Sequence, residues 1–119
     1  MPQDFAPGDF LVFQLEAGYG LLRVLGSEGD NGDKVWHLAA YRDLFMDVES
    51  AEEAAKLADS LTVELPHVAL TNRAFESTQV AKLTSSPVDA AQIEPVGAWR
   101  ADANHTVHDR SIRLLLGLR

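Results

Sequence analysis

The sequence predicts an α+β fold: a small antiparallel sheet that could close toward a barrel, opening with a β-hairpin and joined by an alanine-rich helix and a C-terminal helix. Three observations predict it. Residues 8–25 place runs of strand-forming side chains on either side of a glycine-containing turn. Residues 34–41 supply a third such run after a short polar connection, which favours a meander. Residues 50–61 then change to helical spacing. At 119 residues, 46% of them hydrophobic, the chain is long enough for one domain, 1–119, around one core of ordinary size.

The hairpin sets its own faces. With Ala17-Gly18 at the turn and Glu16 opposite Tyr19, Leu15 opposes Gly20, Phe13 opposes Leu22 and Leu11 opposes Val24. Leu11, Phe13, Leu15, Leu22 and Val24 then share an apolar face, which a slip by one residue would scatter. The other face, with Gln14, Glu16, Tyr19 and Arg23, is left to meet a partner. Ser27 to Asp33 is a polar connection. Within it Asp30-Asn31-Gly32-Asp33 lacks the alternating acids and terminal Glu of a calcium loop, so it reads as a turn. Lys34 to Tyr41 is the third strand.

Ser50 and Glu53 form a capping box for the helix that follows, and Ala51, Ala54, Ala55, Ala58 and Leu61 make its buried stripe. Leu61 to Leu65 alternates like a strand until Pro66 interrupts it, and His67 to Thr71 resumes. Gln79 to Leu83 suits a further strand, and Asp89 to Ile93 one helical turn ahead of Pro95. Thr106 to Leu118 fits either periodicity. Asp109 near its start and Gly117 near its end favour a helix.

The chain has no cysteine, hence no disulfide or thiolate site. It shows no secretory start and no apolar run of membrane-spanning length, so a cytoplasmic protein away from membranes is expected. The net charge of −8 is concentrated in residues 1–70. That sign repels nucleic-acid phosphates and suits a basic partner. Asp43, Asp47, Glu49, Glu52 and Glu53 follow one another with no basic residue between them, the strongest candidate for a partner-binding surface. The helix dipole accounts for Glu52 and Glu53 at a helix start, and less well for the other three.

Tyr19, Arg23, His37, Tyr41 and Arg42 form a second candidate set, lining a pocket or an interface; Tyr19, Trp36, Tyr41 and Trp99, with Arg23, Arg42 and Arg100, could make an exposed aromatic and basic patch. His37 or His67 could serve as a general base, against the commoner role of a buried, hydrogen-bonded histidine. His105 and His108, with Asp109 beside the second, have no further strong ligand near them, and Asp109 can instead pair with Arg113, so no metal is assigned. Gly18, Gly20 and Gly26 lack dinucleotide-loop spacing, and no cofactor is implied.

Gly8-Asp9-Phe10 leading into Leu15, then Gly18-Tyr19-Gly20 and Arg23-Val24-Leu25, resembles the start of the immunity protein 26 family over roughly the first third of the chain. Members are small bacterial proteins of polymorphic toxin systems, taken to neutralise a toxin by binding it. The resemblance implies a non-enzymatic binding protein; the charge run then sets the acidic face against a basic partner such as a nuclease toxin. Two other readings remain open: a small-molecule-binding domain or enzyme with a pocket between sheet and helix, and a structural module that self-associates through a sheet edge.

Overall fold

Strands β1 (Asp9–Leu15) and β2 (Gly18–Glu28) form the expected hairpin in a computed structural model that describes residues 5–30 and 33–117. Asn31, Gly32 and Leu118 of the sequence reading lie outside those residues. The faces are as expected but the register is not. Phe13 opposes Gly20, Leu11 opposes Leu22 and Leu15 opposes Gly18, so the turn is Glu16-Ala17. The difference is a slip of two, which returns every side chain to its own face. Sterics choose between the two registers. The Phe13 ring lies over Gly20, where a Cβ would stand 2.6 Å from ring Cζ. At Gly18 a Cβ would stand 2.5 Å from the carbonyl oxygen of Phe45, so both close approaches need glycine.

Strand β3 (Val35–Tyr41) pairs with β2, β4 (Val63–Thr71) with β3, and β5 (Val80–Ser85) with β1. All pairs are antiparallel, in the order β4-β3-β2-β1-β5. The fold is α+β, and the sheet is open, with β4 and β5 at its edges, instead of closing toward a barrel. Both its faces are apolar, and helices cover them. The expected break at Pro66 does not occur. β4 is an edge strand, where a residue without an N–H is tolerated, and register shifts beside Ala40 take up the irregularity.

On one face Leu11, Phe13, Leu15, Leu22 and Val24 join Trp36, Leu38 and Leu70 in the largest core cluster. Helix α2 (Asn72–Glu76) covers it with Phe75, whose ring lies 4.9 Å from that of Trp36, and α4 (Ile112–Leu116) covers it with Ile112. The Trp36 indole N–H donates to Asn72 Oδ1 at 2.9 Å. The opposite face is not open to a partner. Phe10, Val12, Leu21 and Tyr41 lie under Ala51 and Ala55 of α1 (Val48–Lys56), and Leu25 and Ala39 lie under Val96 of α3 (Ala90–Ala101). Gln14 and Glu16 are exposed, Tyr19 packs beside the α1 cluster, and Arg23 is buried.

The helix ends differ from expectation. Asp47, not Ser50, caps α1 by accepting from the Ser50 N–H; the helix stops at Lys56 and a 3-10 turn spans Ala58–Ser60. Helix α3 runs 12 residues through Pro95, where one turn was expected. Its Asp89–Gln92 capping box and the burial of Val96 offset the hydrogen bond that Pro95 lacks. Helix α4 is capped by Ser111 and ends at Gly117 with φ +70°. Asp109 lies ahead of it, accepting from Thr71 Oγ1 and pairing with Arg73 instead of Arg113. No helix among the described residues is long and apolar enough to cross a membrane.

Candidate functional site

The acidic stretch begins where the chain leaves β3. Arg42 N–H donates to the Thr62 carbonyl, and Phe45 exchanges two backbone hydrogen bonds with Tyr19, so residues 42–45 are tied to the sheet. Phe45 turns inward onto the α1 cluster. In extended backbone its neighbours point the other way, and Leu44, Met46 and the first helical residue Val48 are all exposed, Met46 at 92%. These three apolar residues alternate along the chain with Asp43, Asp47 and Glu49, and Glu53 follows on α1.

The five acids do different jobs. Asp43 Oδ2 accepts the Thr62 N–H at 2.6 Å. Asp47 caps α1, and its bonds from Ser50 hold its carboxyl below the ordinary carboxylate range. Glu52 lies 3.7 Å from Lys56 in an exposed pair worth little. Glu49 and Glu53 are exposed, with no cation bridged to either among the described residues. The apolar members of this surface were missed in the sequence; the signal was Leu44-Phe45-Met46, which one extended turn cannot bury on both sides.

The second candidate set divides. Tyr19 is half-buried and Arg42 is on the surface, where it pairs with Glu64 at 2.7 Å. Trp36 is buried on the other face from Tyr41, so the expected residues do not gather into one exposed aromatic patch. Arg23 and Tyr41 do meet, beside a cavity of about 230 Å³ between the sheet and α3. Leu25, Ala39, Gln92 and Pro95 complete much of its lining. The Arg23 guanidinium lies 4.6 Å over the Phe10 ring, and Nη2 donates to the Ser86 carbonyl, Ser86 Oγ and the Pro87 carbonyl. No carboxylate bridges to it among the described residues, and its buried Nε–H has no acceptor. Burial raises the Tyr41 phenol above its usual range, against a smaller opposing pull from Arg23.

His37 is fully buried and belongs to a chain of side chains on the same sheet face. Its Nδ1 lies 2.9 Å from His67 Nε2, and its Nε2 lies 3.5 Å from Glu28 Oε1, which Arg100 also pairs. Trp99 stands edge-on to His37 at 4.7 Å and stacks on His105 at 3.9 Å. Burial lowers the His37 pKa, with Glu28 opposing; burial and then the neighbouring His37 push His67 down to about 4. The pair is therefore neutral near pH 7. With no exposed surface, His37 has no access to a substrate, and its partners are side chains where backbone was expected. His105 and His108 are drawn apart: one stacks on Trp99, while the backbone of the other bridges to β4 beside Leu70. Among the described residues no three His, Cys, Asp or Glu side chains are placed to hold a metal ion. Compared with known families, curated proteins and solved structures, the chain matches none of them.

Proposed function

We propose that the protein is a non-enzymatic binding protein whose surface at residues 43–53 docks a basic protein partner, in the manner of an immunity protein neutralising a nuclease toxin in the cytoplasm. One observation carries the reading: Met46, 92% exposed, stands between exposed Leu44 and Val48 in a stretch that also carries Asp43, Asp47, Glu49 and Glu53. A flexible thioether is a good apolar anchor at an interface centre. The surrounding negative charge speeds encounter with a cationic surface and opposes nucleic acid. An acidic inhibitor of this kind would cover an active site that otherwise receives phosphates. The hairpin's likeness to immunity protein 26 points the same way.

Asp43 and Asp47 support the backbone, so the test uses Glu49, Glu53 and Met46. Wild-type protein, E49K/E53K and M46D serve as baits, with capture quantified by mass spectrometry and association then measured for the captured protein. A strongly basic protein is expected on the wild type, with association slowed about tenfold in the double variant and at raised salt, and dissociation accelerated in M46D. Capture of no basic protein, or equal retention of it by both variants, refutes the proposal.

A further inference from the structure

We propose that the cavity between the sheet and α3 binds a small organic monocarboxylate, with Arg23 as the anion-holding group. This site lies apart from the acidic surface and does not depend on it. Arginine is almost never fully buried without an opposing charge, yet Arg23 is 3% exposed with no carboxylate bridged to it among the described residues. Its Nη2 is held by three oxygens of Ser86 and Pro87, and the Phe10 ring packs against the guanidinium. The group is thus fixed in place before any ligand arrives, and among the described residues its buried Nε–H has no acceptor. Arg23 lines the cavity, and a carboxylate held there supplies the missing charge, the anion that guanidinium recognises best. Tyr41 lines the same wall, and its phenol, protonated at neutral pH, offers a second O–H donor.

The rest of the cavity fixes the ligand's body. Leu25, Ala39, Val63 and Pro95 are apolar, and the volume of about 230 Å³ exceeds the roughly 150 Å³ that accommodates benzene. The fit is to one carboxylate on an aromatic ring or branched aliphatic group. Asp89 also lines the cavity, with its carboxylate on the Gln92 N–H at the start of α3. Its charge disfavours a second anionic group on the ligand, which selects against dicarboxylates.

The test is titration of the full chain with benzoate, followed by amide NMR shifts. Saturable shifts at Leu25 and Ala39 are expected, with benzyl alcohol and terephthalate each at least tenfold weaker and inorganic phosphate producing none. R23K keeps the charge but loses the planar fork, and should weaken benzoate tenfold or more. Should R23K fail to fold, A91L carries the test: Ala91 lines the cavity but is exposed, so a longer side chain there narrows the cavity and leaves Arg23 in place, and should likewise weaken benzoate tenfold or more. D89N, which can still cap α3, should tighten benzoate two- to threefold. Absence of saturable shifts with benzoate, equal binding of benzyl alcohol or phosphate, or undiminished binding by A91L overturns the proposal.

Discussion

Replacing Gly20 with alanine tests both the hairpin register and the packing that selects it. The new Cβ would lie 2.6 and 2.8 Å from two Phe13 ring carbons. Phe13 is 1% exposed and enclosed by the main core cluster, so the ring has nowhere to go. Overpacking of this kind costs about 1–3 kcal/mol, while the stiffer unfolded chain returns about 0.4–1 kcal/mol. G20A should therefore lose about 1–2 kcal/mol net, lowering Tm by roughly 4–10 °C for a chain this size. F13L alone should cost about 1–2 kcal/mol through lost burial. In the double variant the smaller side chain makes room for the methyl group, so F13L/G20A should be no less stable than F13L. The coupling is then about 1–2 kcal/mol. Urea unfolding followed by fluorescence is the assay, since Trp36 is fully buried and reports on the same core. Additive losses, with coupling below about 0.5 kcal/mol, would refute the steric argument. Rescue of G20A by shortening Leu15 instead would show that Gly20 opposes Leu15, the register two residues away.

Three further outcomes follow from the structure. Because the His37 and His67 pKa values fall on folding, the unfolded chain binds their protons more readily. Stability should be whole above pH 6.5 and decline toward about 4, by an amount on the order of 2 kcal/mol; H67Q should flatten the decline in urea midpoints taken across that range. D47A should cost about 1 kcal/mol and S50A less than about 0.5 kcal/mol, because Asp47 holds the cap, and thermal melts of the two variants check the order. A51L should cost about 1–3 kcal/mol and lift α1 from Phe10 and Tyr41, read as faster hydrogen exchange across Val48–Lys56.

What was legible in the sequence was whatever short-range periodicity controls. The three opening strands, the apolar face from Leu11 to Val24 and the existence of the alanine helix all appear where the residue types place them. A period of two cannot distinguish registers that differ by two, so the Phe13–Gly20 contact had to decide. Asp47 and Ser50 are both good caps, and only the chain's path from Phe45 shows which is used. Pro66 and Pro95 looked like breaks because local rules penalise proline; an edge position spares the first, and the packing of Val96 carries α3 past the second. The acidic run was visible as charge, whereas its apolar centre depends on which way Phe45 faces. Arg23 looked exposed because the opposite sheet face was given no cover. Nothing local to residues 18–28 shows that Ser86, 63 positions away, accepts from its guanidinium.

The strand order also bears on the chain's synthesis. The meander from β1 to β4 is complete at Thr71, but β1 gains its second neighbour only when β5, Val80–Ser85, has been made. Until then the nascent protein presents the free edge of Phe10-Leu11-Val12-Phe13, an apolar ribbon able to template another chain. At translation speeds of about 5–20 residues per second that interval lasts on the order of a second. Ribosome-bound intermediates whose emerged portion ends between β4 and β5 should therefore be the most chaperone-dependent species, and β5 acts as the late-arriving seal that makes the finished domain safe to release.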